Sequence, residues 1–174
     1  MDTRQRWYYI SRKSFKFLKE VRVAKRVMVL VFVLTMTGVS FLAAQSNEVL
    51  DVVLGQAALS YANAAYLVGT SSGHLPDTVT PEDAVAQVEQ AGLGIKGHNP
   101  DAPVSLGQFS YMLTRAFGIH GGIMYTLLPG PRYATRELAY LDIISGPAKP
   151  GMSLSGERAL RILEQVLHHR EAAK

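Results

Sequence analysis

A Ser or Thr residue introduces the same helical pattern three times in this chain. The three segments begin Thr80-Pro81-Glu82, Ser105-Leu106-Gly107 and Ser155-Gly156-Glu157, so the second and third lie 25 and 75 residues after the first. Ser and Thr are preferred helix N-caps, and each segment continues with apolar side chains at helical spacing. This recurrence predicts an all-α fold, built as a compact array of helix-loop-helix repeats.

The same spacing of apolar residues places the helices along the chain. The clearest stripe follows Ser105 and consists of Phe109, Met112, Leu113, Ala116 and Phe117. Glycine and proline clusters separate the helical stretches. The predicted helices cover residues 47–69, 81–91, 105–117, 132–144 and 155–170, whereas residues 121–128 fit either a short helix or an extended segment.

The first 44 residues differ sharply from the rest in charge and hydropathy. They carry nine Lys or Arg and two acidic residues, and they end in an uncharged apolar run of 18 residues, 27–44. A basic stretch before an apolar run is typical of an export signal, and Ala43-Ala44 fit cleavage near Ala44 or Gln45. The run is also long enough for an uncleaved membrane anchor. A start site placed too early in the gene is a third reading. Under all three readings the C-terminal part is exported.

The sequence therefore divides into a leader, residues 1–44, and an exported helical domain, residues 45–174, in the periplasm or cell envelope. The exported part has a net charge of −3, which disfavours nucleic-acid binding. The chain has no cysteine, which excludes disulfides, thiolate metal sites and lipid attachment through cysteine. Residues 45–174 are numerous enough to bury a self-sufficient hydrophobic core.

A short motif before the capped helices resembles that of a known family. Residues 140–146 read Tyr-Leu-Asp-Ile-Ile-Ser-Gly, a proline loop follows, and a capped helix then runs to Leu163. Weaker copies of this unit cover residues 88–117 and 61–91. The unit resembles the S-layer homology repeat, in which a first helix ends near Gly-Ile-Ile-x-Gly and a loop leads to Thr-Arg-Ala-Glu at the start of the next helix.

The resemblance implies a compact, pseudo-threefold helical domain. In this family such repeats bind cell-wall polysaccharide and tether proteins to the envelope. The binding arginine of the family follows the cap, where this chain has Pro81, Leu106 and Gly156. The chain is thus a divergent copy that lacks the binding-motif arginine, and its exported part also lacks the tryptophan of the family motif.

One cluster of residues is a candidate binding site. Arg132, Tyr133 and Arg136 follow the loop 128–131, Leu-Pro-Gly-Pro, at the start of a predicted helix. Guanidinium groups bind the carboxylates of an acidic sugar or of a partner protein. Alternatively, Arg136 pairs with Glu137 or faces solvent while Tyr133 packs against the core.

The sequence shows no catalytic residues, and we expect neither a metal nor a cofactor. His98, Asn99 and Asp101 share a loop but lack a third ligand, so they fit a turn held by the side chains of Asn and Asp. No Ser-His-Asp arrangement has a recognisable motif around it.

We therefore expect a non-catalytic, exported, envelope-associated structural or interaction module that resembles S-layer homology repeats. Its partners are envelope proteins or cell-wall polymer. The alternative is a periplasmic subunit of a larger assembly, anchored in the inner membrane through residues 27–44, with tyrosines and the loop 127–133 at a protein interface. A third class, a cell-wall hydrolase, needs paired carboxylates that the sequence does not reveal.

Overall fold

The computed structural model describes residues 48–172, and the predicted leader lies outside this range. The described residues form helices and no strands, which confirms the all-α prediction for this part of the chain. The helices are α1 (residues 48–55), α2 (Tyr61–Ser71), α3 (Pro81–Gln90), α4 (Leu106–Ala116), α5 (Ile123–Leu127), α6 (Pro131–Tyr140) and α7 (Gly156–Ala172). None of the described helices combines the length and hydropathy needed to cross a bilayer.

All three predicted caps are confirmed, and at Ser155 the hydroxyl accepts from the amide of Arg158 at 3.4 Å. The Thr80 hydroxyl accepts from the amide of Asp83, and Pro81 occupies the first turn of α3, where its missing N–H has no cost. Ser105 forms a capping box with Gln108: the Ser105 hydroxyl accepts from the Gln108 amide, and the Gln108 side chain accepts from the Ser105 amide. These bonds fix where α3 and α4 begin.

The prediction of a single long helix over residues 47–69 is wrong. Helix α1 ends at residue 55, and α2 begins after Ser60, whose backbone is extended at φ −70° and ψ 153°. The Ser60 hydroxyl caps α2 by accepting from the amide of Asn63. A serine that bonds the backbone in this way favours a helix start over a helix interior, despite the alanine-rich surroundings.

Helix α6 ends earlier than residue 144, where the sequence pattern places its end. Its last helical residue is Tyr140, and Asp142 adopts the left-handed conformation at φ 57°. The carbonyl of Leu138 then accepts from the amides of both Ile143 and Ile144. These two buried isoleucines therefore turn back into the core after the helix instead of continuing it.

Three extended segments meet in the middle of the domain, just before Ser60, Ser105 and Ser155. We call this meeting point the central junction and define it by the side chains of Leu59, Val104 and Leu154, all 0% exposed. The Leu59 amide donates to the Leu154 carbonyl over 2.7 Å, and the Val104 amide donates to the Leu59 carbonyl over 2.8 Å. Backbone bonds thus join segments that lie far apart in sequence.

The helices that leave the junction also have their first amides satisfied by other segments. The first amides of a helix have no partner within the helix itself. Here each donates over 2.9 Å to a distant carbonyl: Tyr61 to Ala102, Leu106 to Met152, and Gly156 to Gln56. The recurring bonds therefore relate Ser60 to Ser105 and Ser155, whereas the sequence pattern groups Thr80 with those two serines.

Helix α6 packs against α4 through a close approach at Gly107. A Cβ atom at Gly107 would lie 3.2 Å from the Cβ of Pro131 and 2.9 Å from the carbonyl oxygen of Pro150. Ala134 and Leu138 of α6 are 0% exposed on the side that faces the core. This contact fixes which face of α6 points outwards.

Candidate interaction surface

The outward face of α6 carries two of the three predicted site residues. Arg132 and Arg136 are both exposed, and Tyr140 follows at the same four-residue spacing with 83% of its surface exposed. Residues four apart lie above one another on a helix. The three side chains therefore form one cationic and aromatic stripe opposite Ala134 and Leu138.

Neither arginine is used to hold the fold together. Among residues 48–172 there is a single ion pair, which joins Arg161 to Glu157 at 3.4 Å. Arg136 therefore does not pair with Glu137 in this structure, although the two residues are neighbours in sequence. Both guanidinium groups face outwards and are available to an acidic partner.

Tyr133 does not share this outward face. It is half-buried and lies about 100° around the helix from Arg132, as adjacent residues do. The structure thus brings Arg132 and Arg136 together and replaces Tyr133 by Tyr140 as the exposed aromatic residue. The eight-residue spacing from Arg132 to Tyr140 is the sequence signal that identifies it.

Helix α5, which precedes α6 in the chain, is a second feature, and its apolar side chains are exposed. None of its residues is buried. We call its exposed side chains, with the residue that follows the helix, the apolar tip: Ile123 (79% exposed), Met124 (61%), Leu127 (68%) and Leu128 (61%). Their spacing places them on one side of the helix.

The apolar tip is held in place from its other side. The hydroxyl of Tyr125 hydrogen-bonds the hydroxyl of Thr114 on α4 at 2.7 Å. Burial raises the pKa of Tyr125, an effect that the bond to Thr114 partly opposes. The amides of Thr126 and Leu128 donate to the carbonyls of Gly122 and Met124. The tip is therefore an anchored helical turn with its own backbone bonds.

The apolar tip together with Arg132, Arg136 and Tyr140 is called the α5–α6 surface below. Exposed leucines and isoleucines are ordinary when scattered singly, but a contiguous group rimmed by polar side chains marks an interaction site. Arginine and tyrosine are also enriched in interfaces. The sequence loop 127–133 contains part of this surface, whereas Ile123, Met124, Arg136 and Tyr140 lie outside it.

A concave feature lies between α1 and the starts of α2 and α3. This acidic groove has a volume of about 470 Å³, and within the described part of the chain its lining includes the carboxylates of Glu48, Glu82 and Asp101 and no cationic side chain. Its other lining residues are Val49, Val52, Gln56, Ser60, Ala62, Asn63 and Pro81. The groove thus combines apolar contacts with a negative rim.

A smaller cavity of about 260 Å³ lies between α7 and the segment after α6, and Arg158 and Arg161 line it. The guanidinium of Arg158 donates to the carbonyls of Ser145 and Pro147, at 3.2 and 2.6 Å. Arg161 belongs to the ion pair with Glu157. Both arginines are therefore engaged within the fold.

The loop that contains His98 forms a turn of the kind expected from its sequence. The Asn99 side chain accepts from the Asp101 amide at 3.0 Å, which is the predicted turn. The His98 ring lies 4.5 Å from the Tyr61 ring, and its Nε2 lies 3.1 Å from Nε2 of Gln108. Within residues 48–172, no three His, Asp or Glu side chains come close enough together to hold a metal ion.

Tyr61 ties this loop to the junction. Its hydroxyl accepts from the Ile95 amide at 2.8 Å and donates to the Ile95 carbonyl at 3.2 Å. Burial raises the pKa of Tyr61, the Ile95 bond partly lowers it, and the negative charge of Glu89 adds to the increase. The hydroxyl therefore stays protonated as a structural link.

Comparison with known proteins adds no relative. The chain matches no protein-family model, no curated protein and no solved structure.

Proposed function

We propose that residues 45–174 form an exported, envelope-associated and non-enzymatic interaction module, and that its working surface is the α5–α6 surface. The observation that carries this proposal is the apolar tip, whose four large apolar side chains are 61–79% exposed on a turn held by Tyr125. Leaving such side chains in water forgoes roughly 1.5–3 kcal/mol for each one that burial would recover. A partner that covers the tip recovers this free energy.

Protein partners fit this surface better than cell-wall polymer does. The mutually bonded helix starts support a divergent relationship to the S-layer homology repeat. The positions that follow the three related serines are Tyr61, Leu106 and Gly156, all of them buried. No arginine stands there to hold an anionic polymer, whereas the apolar tip offers little to a polar glycan.

Three tyrosine hydroxyls are poorly suited to act as a base or nucleophile. Burial is the main cause that raises the pKa of Tyr61, Tyr66 and Tyr125. A phenol that acts as a base or nucleophile needs a pKa that moves towards the working pH. The pKa values of these three groups move away from the working pH, and the hydroxyls of Tyr61 and Tyr125 form hydrogen bonds within the fold.

The second candidate is a periplasmic subunit of a larger assembly, anchored through residues 27–44. The apolar run of 18 residues after a basic segment favours it, and the same α5–α6 surface would contact the rest of the assembly. The mass of the native protein separates the two candidates. A chain that starts near Gln45 supports the cleaved form, and an intact N-terminus supports the anchored form.

The interaction role is tested with a photo-reactive amino acid in place of Leu127 in the full chain, expressed in its native cells. We expect cross-links to envelope proteins. The matched control places the same group at Gln87, which is exposed on α3 away from the tip, and should give little product. Equal yields from both positions, or retention of the protein on isolated cell-wall polymer without protein cross-links, would overturn the proposal.

A further inference from the structure

We propose that the apolar tip of one copy docks into the acidic groove of a second copy, so that the protein assembles with itself. This inference rests on the interaction role proposed above and names the partner of the α5–α6 surface. The groove and the tip belong to the same chain, and they complement each other in shape, apolarity and charge.

The shape and apolarity of the two features match. The tip projects four apolar side chains from a single helical turn, whereas the groove is concave, with a volume of about 470 Å³. A cleft of that size lies in the range that accommodates a drug-sized molecule, so it has room for several of these side chains. Val52, which is 52% exposed, together with Val49 and Ala62 provides apolar contacts inside it.

Their charges are opposite. Glu48, Glu82 and Asp101 line the groove, and no Lys, Arg or His stands among the other residues from 48 to 172 that line it. Arg132 and Arg136 follow the tip by four and eight residues, on α6, and neither forms an ion pair among the described residues. Docking places the arginines next to carboxylates that also form no ion pair among the described residues, and such complementarity favours one orientation of the partner.

The contact joins two different surfaces, because the tip belongs to α5 and the groove lies between α1, α2 and α3. Such a heterologous contact leaves one tip and one groove free in every pair. Assembly therefore continues into chains unless the rotation between copies closes a ring. The expected product is a series of oligomers that grows with concentration.

The absence of cysteine from the chain allows a clean test on the full-length protein. Copies with Leu127→Cys are mixed with differently tagged copies with Val52→Cys and are treated with a short bifunctional thiol reagent. We expect a product that joins the two tags. The control replaces Val52→Cys with Gln87→Cys, an exposed position outside the groove, and should give at most about a tenth of that product. Equal products from both mixtures would overturn the proposal.

Charge reversal gives a second test that does not depend on cross-linking. The tip variant carries Arg132→Glu and Arg136→Glu, and the groove variant carries Glu48→Lys and Glu82→Lys. Each variant alone places like charges together, so its self-association should weaken at least about tenfold, the effect expected of coupled interfacial charges. A mixture restores both opposite-charge contacts and should assemble like the unmodified chain in analytical ultracentrifugation.

The outcomes distinguish this inference from the broader proposal. An unmodified chain that stays monomeric at all concentrations, or a mixture of reversed variants that does not assemble, overturns self-association. Cross-links from residue 127 to other envelope proteins would then still support the interaction role. If the chain neither self-associates nor cross-links to other envelope proteins, the α5–α6 surface does not have the interaction role proposed for it.

Discussion

The central junction and the apolar tip use similar side chains in opposite ways. Leu154 at the junction is 0% exposed, and the backbone around it bonds to distant segments. Leu127 at the tip is 68% exposed, and the backbone bonds around it are local. One leucine closes the fold, and the other is presented to the outside.

This difference separates what stabilises the domain from what it offers to a partner. The junction satisfies the first amides of three helices with carbonyls from other segments, so a change there affects all three. The tip is attached mainly through Tyr125 and contributes little burial to the fold. We therefore expect substitutions at the junction to lower stability, and substitutions at the tip to lower association.

The largest effect is expected from Gly156→Ala. A methyl group there would overlap the carbonyl oxygen of Val53, which belongs to the backbone and cannot swing aside. The Gly156 amide also donates to Gln56, so the contact that closes the junction would open. We expect the free energy of unfolding in urea to fall by about 4 kcal/mol or more.

The matched control is Gly151→Ala. A Cβ at Gly151 meets no atom within 4 Å, and its φ is not in the left-handed region. Its unfolding free energy should stay within about 0.5 kcal/mol of the unmodified chain. If both variants lose the same free energy of unfolding, the close approach of Gly156 to Val53 does not determine stability.

A pair of leucine substitutions compares the two regions directly. Leu154→Ala removes a fully buried side chain and should lower the free energy of unfolding by about 3 kcal/mol. Leu127→Ala removes one that is 68% exposed and should change it by less than about 0.5 kcal/mol. Similar losses from both, measured by denaturant unfolding, would show that the tip belongs to the core.

Tyr61→Phe is expected to have a smaller effect of about 2 kcal/mol. It removes the hydroxyl that bonds both the amide and the carbonyl of Ile95 and leaves those groups without their partner. The control, Tyr140→Phe, changes a tyrosine that is 83% exposed and should leave the thermal midpoint unchanged. If Tyr61→Phe also leaves the thermal midpoint unchanged, the hydrogen bonds of the Tyr61 hydroxyl do not stabilise the fold.

Alkaline pH tests the same tyrosine. Burial raises the pKa of Tyr61 above its ordinary value of 10.0, so the unfolded state loses its proton first as pH increases. The stabilisation is fully present below pH 10.0 and declines as pH rises through the higher pKa of the folded state. Unfolding free energies measured from pH 9 upwards should fall less steeply for Tyr61→Phe than for the unmodified chain.

The smallest of these effects is expected from Ser60→Ala. The Ser60 hydroxyl caps α2, and its loss should cost about 1 kcal/mol because the Asn63 amide loses its acceptor. Thr80→Ala removes a cap outside the junction and provides the comparison. If Ser60→Ala and Thr80→Ala lower thermal stability equally, the Ser60 hydroxyl acts as an ordinary helix cap. The importance of this position would then lie only in the backbone bonds around it.

The sequence predicted the features that depend on local chemistry. The caps at Thr80 and Ser105 follow from side chains that bond amides three residues later, and the helices after them follow from apolar spacing. Ser60 was missed because alanine-rich residues on both sides favour helix. The carbonyls of Pro100 and Ala102, about forty residues away, accept from the amides of Ala62 and Tyr61 and so favour a helix start at this point.

The candidate site was predictable in part for the same reason. Arg132 and Arg136 share a face because they are four residues apart, and this follows from any helix that contains both. The direction of that face depends on the packing of Pro131 against Gly107 of α4. The acidic groove unites residues from Glu48 to Asp101, so only the folded chain brings its carboxylates together.

The most direct measurement combines stability and association in one variant. Leu127→Ser is introduced into a full chain that carries a photo-reactive amino acid in place of Met124, and its unfolding free energy and cross-link yield are compared with those of the parent. We predict an unfolding free energy within about 0.5 kcal/mol of the parent and a cross-link yield at least about tenfold lower. An unchanged yield together with a loss of about 2 kcal/mol would contradict a docking role and assign the tip to the core.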